Sequence, residues 1–359
     1  MISLLPITAL AEQFTYNQEL ISMAIKTEDN LRNREHVMAS ISGGSDSDIM
    51  IDLIETLLKM MHPKVRPQEV TYVFFNTGLE YDATKRHVEE LREKYGVDIL
   101  ERPALVPIPV SCKRYGQPFL SKQISEFIYR LQKHGFAWTD EPFDVLYARY
   151  PKCKAALRWW CNEFGKESHF NIKRHPFLKE FMILNPPDFL ISTKCCEGAK
   201  KKAGSAVEEE LQPDICLIGV RKAEGGARAE AYKTCFDPGK NGTSDRFRPL
   251  FYLTNRDKRI YEEHRCIVHS ECYTKYGLDR TGCACCPFGK YFERELEAAE
   301  KYEPKLYRAA NAIFANSYSY TRAYRRFASE MKGREKHKKL VNVEDQQVSA
   351  FDSEATPCS

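Results

Sequence analysis

A glycine-containing loop between a strand pattern and a helix pattern constrains the fold of this chain most. His36 to Ile41 is a short apolar run typical of a β-strand, and the loop that follows reads SGGSDS from Ser42 to Ser47. The next apolar residues recur at helical spacing, at Met50, Leu53, Ile54, Leu57, Leu58 and Met61. A strand, a tight loop and a helix in this order predict one unit of an α/β sheet.

The same alternation continues along the chain. The pattern predicts a helix over Asp82 to Tyr95, with Asp82 as its N-cap. Further strands are predicted at Val70 to Phe75, Val97 to Leu100, Asp214 to Val220 and Arg248 to Leu253. Strands that alternate with helices indicate a doubly wound parallel sheet.

Other segments depart from this alternation. Residues 105–190 are helical and aromatic in pattern and end at Pro186-Pro187, which is typical of an insertion or lid. Phe292 to Phe327 predicts one or two helices, whereas the charged segment after Lys332 is expected to form a mobile tail. The predicted parts are a first nucleotide-domain part at 1–104, the insertion at 105–190, a cysteine-rich completing part at 191–290, C-terminal helices at 291–332 and the tail at 333–359.

Composition sets the class of protein. With 54 basic and 50 acidic residues the formal charge is +4, so bulk charge gives no argument for a polyanionic partner. No apolar run is long enough for a membrane helix, and Glu12 interrupts any signal-peptide pattern. We therefore expect a cytoplasmic protein without membrane partners. In that reducing compartment, 13 cysteines point to metal or redox chemistry rather than to disulfides.

The loop is a candidate anion site. A loop that opens a helix directs backbone N–H groups and the positive helix end at one point, and glycines let the backbone approach a phosphate. Asp46 is a candidate to position Mg²⁺ or the pyrophosphate end of a nucleotide. The alternative is a simple turn that caps a helix. The candidate binding residues are Ser42, Gly43, Gly44, Ser45, Asp46 and Ser47.

Two groups of cysteines form a candidate metal site. Cys195 and Cys196 are adjacent, and Cys283 and Cys286 form a C-x-x-C pair. Four thiolates suit a [4Fe–4S] cluster or a tetrahedral Zn²⁺. The alternative is a set of buried thiols, and four other cysteines are competing ligands, namely Cys235, Cys266, Cys272 and Cys285.

A second anion-binding segment lies between these cysteine groups. Arg221 and Arg228 flank a glycine-bearing loop after a predicted strand, and two guanidinium groups on such a loop suit sulfate or phosphate. The alternative is a solvated surface loop.

These segments together resemble a known family. SGGSDS resembles the PP-loop of N-type ATP pyrophosphatases, and the segment from Phe75 to Glu80 resembles the Asp-Thr-Gly segment of phosphoadenosine-phosphosulfate reductases, with Asn76 in place of the usual Asp. The resemblance implies that Asn76, Thr77 and Gly78 contact a nucleotide. The cysteine spacing is similar to the cluster motif of adenylyl-sulfate reductases, in which a lysine, here Lys200, lies near the cluster.

The resemblance implies an adenine-nucleotide enzyme that uses ATP or phosphoadenosine phosphosulfate, with Mg²⁺ and a cluster. The unaltered loop favours ATP cleavage between the α- and β-phosphates, adenylation and sulfur transfer, as in tRNA thiolases and enzymes that sulfur-modify DNA. Reduction of a sulfonucleotide to sulfite is the first alternative, and a nucleotide-binding regulator without turnover is the second.

The expected partners are a nucleic acid or a sulfur-donor protein. One predicted helix offers either a nucleic-acid surface or a core-facing side, and it carries Tyr318, Tyr320, Arg322, Tyr324, Arg325 and Arg326.

Overall fold

A computed structural model describes residues 17–225, 232–240 and 242–353, and side chains as far as residue 336. Its central element is a six-stranded sheet with strand order β3-β2-β1-β4-β6-β5. The strands are β1 His36–Ile41, β2 Glu69–Asn76, β3 Ile99–Pro103, β4 Ile215–Ile218, β5 Phe236–Asp237 and β6 Asp245–Phe247. Every pair is parallel except β5 with β6, which confirms the predicted α/β class.

The helices of the described chain are given in chain order. In the first half of the chain they are α1 Gln18–Leu31, α2 Ser45–Met60, α3 Asp82–Tyr95, α4 Ile108–Tyr115, α5 Lys122–Lys133, α6 Phe143–Arg149, α7 Lys154–Trp160 and α8 Leu178–Leu184. In the second half they are α9 Lys194–Cys196, a π-helical turn Glu197–Lys201, α10 Lys202–Leu211, α11 Asn255–His264, α12 Glu271–Thr274, α13 Phe292–Tyr302 and α14 Pro304–Ser353.

The order of the strands creates a switch point beside β1. From β1 the chain adds β2 and then β3 on one side, and it later returns to place β4 on the other side of β1. The loops that follow β1 and β4 therefore leave the sheet in opposite directions. In open α/β sheets this crevice at the carboxyl ends of the strands is where ligands bind.

The sequence predicted β1 and the bounds of α3 correctly, but two local predictions are wrong. Residues 248–253 form turns rather than a strand, because Leu250, Phe251 and Leu253 are buried as turn residues of the core. Asp82 is not the N-cap of α3. Tyr81 holds that position, and the carboxylate of Glu303 accepts from the Asp82 and Ala83 amides at 2.8 and 3.1 Å.

The described chain forms two compact units. The first contains the sheet and includes residues up to Ser111, then Lys194–Cys286 and Tyr291–Asn311. Its core consists of the apolar faces of α1, α2 and the central strands, with Val37, Ile54 and Leu217 fully buried. Burial of this continuous apolar surface supplies most of the folding free energy of such a unit.

The second unit is helical and comprises Cys112–Thr193, Pro287–Lys290 and the chain from Ala312 onward. Its core is aromatic, with Trp159, Trp160 and Phe119 fully buried. Tyr318 and Tyr324 are buried and Tyr320 packs against the core of this unit, which favours the core-facing alternative for these three tyrosines. Their spacing matches a core-facing side of α14.

The C-terminal helix extends into the segment predicted to form a tail. Helix α14 begins at Pro304 and continues to Ser353, with a kink at Phe314. No helix among the described residues is both long and apolar enough to cross a membrane.

A buried carboxylate ties α2 to the second half of the first unit. Asp52 accepts hydrogen bonds from the hydroxyls of Tyr95 and Tyr261 at 3.1 and 2.8 Å, and from Nε of Arg265 at 2.8 Å. Asp52 is almost completely buried. A buried carboxylate is tolerated only with such partners, so this group fixes where α11 lies on α2.

Replacing Asp52 should therefore destabilise the first unit. Asp52→Ala leaves the Arg265 guanidinium and two phenols without their acceptor, and we expect a loss of about 3 kcal/mol in the free energy of unfolding. Urea unfolding followed by circular dichroism measures it. Asp82→Ala, at an exposed carboxylate paired only with Lys85, is the matched control and should change stability by less than about 0.5 kcal/mol.

Candidate nucleotide and thiol sites

The glycine loop lies at the carboxyl end of β1, where α2 begins. Gly43 has a φ of 63°, and a Cβ at this position would lie 2.8 Å from Cγ2 of Thr84. Gly44 is the N-cap of α2, and its amide donates to Oγ of Ser47 at 3.1 Å. The loop therefore requires glycine at Gly43 for both conformation and space. It brings the N-terminus of a sixteen-residue helix to the edge of the sheet.

Two cations meet Asp46 across the switch point. Arg221, which follows β4, donates from Nε to Oδ1 of Asp46 at 2.9 Å, and Nζ of Lys258 lies 2.8 Å from the same oxygen. Arg221 is buried, and its Nη1 also donates to Oδ1 of Asn255 at 3.0 Å. The backbones are close here as well, because a Cβ on Gly219 would lie 3.3 Å from the carbonyl oxygen of Asp46.

Ser45, the first residue of α2, is contacted by residues from far along the chain. Its amide donates to the hydroxyl of Tyr273 at 3.1 Å, and Lys258 donates to its Oγ. The Tyr273 hydroxyl also accepts from the amide of Thr281 at 3.2 Å. Tyr273 thus joins the glycine loop to the segment that carries the C-x-x-C pair.

A buried charge network supports the first turn of α2. Asp48 lies between two histidines: Nδ1 of His269 is 2.7 Å from Oδ2, and Nε2 of His87 is 3.0 Å from Oδ1 in a direction unsuited to a hydrogen bond. Burial lowers the pKa of His269, but hydrogen bonds to Asp48 and Glu262 outweigh it and raise the pKa to about 9. Burial lowers the pKa of His87, but the negative charges of Asp48 and Glu90 beside it outweigh burial and raise the pKa.

The end of β2 forms the neighbouring part of the site. Thr77 donates to Oε1 of Glu80 at 2.6 Å, and Gly78 donates its amide to the side chain of Asn76 at 2.9 Å. Gly78 has a φ of 80°, which only glycine adopts without strain. Burial raises the pKa of Glu80, although Lys200 and Thr77 oppose this shift.

Three of the four predicted thiol ligands influence the pKa of one lysine, Lys200. The charge of Cys283 is the main cause of the raised pKa of Lys200, with Glu80, Cys196 and Cys286 also contributing. Burial raises the pKa of the Cys283 thiol, and Lys200 opposes this shift. We call the group formed by Cys196, Cys283, Cys286 and Lys200 the thiol site.

The donors at the thiol site are not held at metal-binding spacing. Among the described residues there is no group of three or more His, Cys, Asp or Glu side chains arranged to hold a metal ion. Cys195 is buried on the same short helix as Cys196. The thiol chemistry of the set fits a [4Fe–4S] cluster or Zn²⁺, while the distances in this structure do not show one.

The competing cysteines lie in other surroundings. Cys272 is fully buried and lies 3.5 Å from Oγ1 of Thr84. Cys285 is buried and contacts Tyr81 and the carbonyl of Glu295. Cys235 packs against the sheet core, and Cys266 is exposed.

The second arginine of the predicted anion clamp, Arg228, lies outside the described residues. Sequence reasoning missed Lys258, Tyr273, His87 and His269. Only Lys258 had a usable signal, because it follows Thr254-Asn255-Arg256-Asp257, a capping box that fixes the first turn of α11. The other three lie in segments that carry no motif, so their approach to α2 depends on the tertiary fold.

Comparison with known proteins agrees with this geometry. Residues 36–107, from the start of β1 to the residue before α4, match the model of the phosphoadenosine phosphosulfate reductase domain family. The family model therefore covers 72 of the 359 residues. The match includes the glycine loop and the residues Asn76, Thr77 and Gly78 of the reductase-type segment.

One relative and two solved structures extend the comparison. An uncharacterized protein of Methanocaldococcus jannaschii is 32% identical over 297 residues, which is 81% of this chain but only 44% of that protein. The phosphoadenylyl-sulfate reductase of Candida auris in complex with phosphate has a TM-score of 0.38 and 11% identity, covering 79% of this chain and 96% of the other. The U34-tRNA thiolase NcsA of Methanococcus maripaludis with its [4Fe-4S] cluster has a TM-score of 0.37 and 15% identity, covering 86% and 78%.

The charge network makes stability depend on pH. The folded-state pKa of His269, about 9, exceeds the usual value of 6.5, so its contribution is complete below about pH 6.5 and is lost as the pH rises through 9. After allowance for solvent screening we expect about 1 to 2 kcal/mol. Urea unfolding at pH 6 and pH 9.5 should show wild type more stable than His269→Gln only at the lower pH.

The exposed His134 supplies the control for this experiment. His134→Gln should follow wild type at both pH values. A stability difference between wild type and His269→Gln that stays constant from pH 6 to pH 9.5 would contradict the assigned charge on His269.

Proposed function

We propose that this chain is an enzyme that binds the phosphates of an adenine nucleotide at the loop from Ser42 to Ser47 and cleaves ATP between its α- and β-phosphates. The observation that carries the proposal is the meeting of Arg221 and Asp46 across the β1–β4 crevice, beside a glycine loop that opens α2. A cation, a glycine loop and a helix N-terminus at a switch point form a site for a nucleotide phosphate.

In the proposed reaction an oxygen of the acceptor attacks the α-phosphorus of ATP. The bond from that phosphorus to the bridging oxygen breaks, and pyrophosphate leaves with the bonding electrons. A sulfur nucleophile then attacks the activated acceptor atom, and AMP leaves with the acceptor oxygen. The protein contributes by positioning the phosphates and by neutralising the charge that develops on the leaving pyrophosphate.

The side chains of the loop divide this work. Arg221 supplies a fixed guanidinium for the leaving phosphates, and the Ser42 and Ser45 hydroxyls supply neutral donors. Asp46 was predicted to position either Mg²⁺ or the pyrophosphate end of a nucleotide, and its Oδ1 is engaged by both Arg221 and Lys258. We therefore infer that Asp46 orients these two cations, with Mg²⁺ carried by the nucleotide phosphates.

The thiol site would serve the sulfur step. Cys196, Cys283 and Cys286, with Cys195 as the fourth thiol, are the residues that would hold a [4Fe–4S] cluster, which would supply a site for sulfur or electron transfer. Lys200 keeps positive charge beside these thiols, which favours their thiolate forms. Zn²⁺ held by the same thiols is the alternative.

Two other functions use the same residues. Reduction of adenylyl sulfate or phosphoadenosine phosphosulfate would need a thiol pair as the electron source and would release sulfite. A regulator would bind the nucleotide without turnover. Incubation with ATP and Mg²⁺ separates these cases, because only the proposed enzyme forms pyrophosphate and AMP, with a nucleic acid or a protein-bound sulfur donor as the second substrate.

Arg221 offers a direct test of nucleotide binding. Arg221→Ala should weaken ATP binding by about 1.5 to 3 kcal/mol in calorimetry, because a desolvated charge-assisted bond is lost. Arg259→Ala, at an exposed position on α11, should leave binding unchanged. Equal losses for ATP and for adenosine in Arg221→Ala would show that Arg221 does not contact the phosphates.

The thiol site has its own test. Protein purified without oxygen should be brown and contain about four iron and four sulfide per chain. Cys195→Ser, Cys196→Ser, Cys283→Ser and Cys286→Ser should each lose iron, whereas Cys285→Ser and Cys272→Ser should retain it. Colourless protein with about one zinc per chain would replace the cluster with a structural zinc site.

A further inference from the structure

Ser45 is contacted at both of its polar groups by residues from far along the chain. Lys258, on the first turn of α11, donates to Oγ of Ser45, and Tyr273, on α12, accepts from its amide at 3.1 Å. Ser45 is the first residue of α2, so these two side chains lie where the positive end of that helix meets the glycine loop.

Lys258 places a second cation beside Asp46. Arg221 already pairs with Oδ1 of Asp46, and Lys258 approaches the same oxygen, so two cations meet at one carboxylate. Glu262 lies 3.6 Å from Lys258, but it also bonds Nε2 of His269 at 2.9 Å. Two cationic side chains beside the positive end of α2 are complementary to an anion.

Tyr273 has a proton to donate. Its oxygen accepts from the amides of Ser45 and Thr281, which occupies both lone pairs. Among the described residues, the Tyr273 hydroxyl acts only as a hydrogen-bond acceptor. A hydroxyl that accepts two hydrogen bonds is polarised and becomes a stronger donor.

Both side chains have rigid support. The N-terminus of α11 is held by the capping box of Thr254 and Asp257, and Asn17 donates to Asp257 at 2.7 Å. The ring of Tyr273 lies against His269 at 5.7 Å between centroids, and His269 is fixed by Asp48 and Glu262. Preorganised donors lose little conformational entropy when an anion binds.

We propose that Lys258 and Tyr273 are further anion-binding residues of this loop, and that they hold the terminal phosphoryl groups of a nucleoside polyphosphate at Ser45. The proposal rests on the nucleotide-binding function proposed above. Lys258 binds one phosphoryl oxygen as a cation, and Tyr273 donates its proton to a second oxygen. The substrate class is therefore a molecule with a pyrophosphate end, in preference to one with a single phosphate.

The experiment is calorimetry of the full chain with four probes: ATP, free pyrophosphate, AMP and adenosine. Lys258→Met should bind ATP and pyrophosphate about 10-fold more weakly, and Tyr273→Phe about 3- to 10-fold more weakly, with adenosine affinity unchanged in both. Lys258→Arg should recover part of the loss because the charge is kept. Lys275→Met and Tyr252→Phe, both at exposed side chains, are the matched controls and should behave as wild type.

The outcomes separate this inference from the proposed function. If wild type binds ATP and pyrophosphate and both variants bind them equally well, the inference is overturned while the nucleotide site remains. Tighter binding by Tyr273→Phe would overturn the role of Tyr273, because the hydroxyl would then compete with the phosphate for the Ser45 amide. Equal losses for adenosine and ATP in Lys258→Met would show a structural role alone. Failure of wild type to bind any probe would overturn the proposed function itself.

Discussion

The buried carboxylates along α2 are the constraint on which the rest of the first unit depends. Asp46, Asp48 and Asp52 all lie on this helix, and Asp48 and Asp52 are almost completely buried against the rest of the unit. Each needs partners, since an unpaired buried carboxylate costs several kcal/mol. Each has a partner among residues 221 to 269, more than 170 positions later in the chain, and His87 and Tyr95 on α3 contact Asp48 and Asp52 as well. Folding of α2 into its buried position is therefore coupled to docking of α11 and of the segment beyond it.

This coupling also builds the candidate site. The pairs that neutralise Asp46 deliver Arg221 and Lys258 to the positive end of α2, so the interactions that stabilise the fold are the ones that place cations beside the glycine loop. The same residues stabilise the fold and line the candidate site, so a substitution of one of them affects both stability and binding. The two roles differ in their effect on ligand affinity. A structural loss weakens every ligand equally, whereas the loss of a phosphate contact weakens only ligands that carry phosphate.

Sequence patterns predicted the parts of the fold that depend on local physics. The strand His36–Ile41 and the helix Asp82–Tyr95 follow directly from apolar periodicity and turn residues. Residues 248–253 were misread because a buried apolar turn and a short buried strand share the same apolar run. Glu303, the real cap of α3, lies more than 200 residues from the amides that it accepts, and no local signal can indicate such a partner.

The same distinction applies to the site. The glycine loop and the cysteine pairs carry motifs, and the charges of Cys196, Cys283 and Cys286 all raise the pKa of Lys200. Lys258 and Tyr273, by contrast, come close to the glycine loop only in the folded chain.

The segment from Thr281 to Ala284 also reaches this edge of the sheet. The Thr281 amide donates to the Tyr273 hydroxyl near the end of β1, and the Ala284 amide donates to the carbonyl of Leu79 beyond β2 at 2.8 Å. The cysteine segment therefore lies along the carboxyl edge of two adjacent strands. The Tyr273 hydroxyl therefore joins the amide of Ser45 in the glycine loop to the backbone two residues before Cys283, so the position of the cysteine segment and that of the loop depend on one side chain.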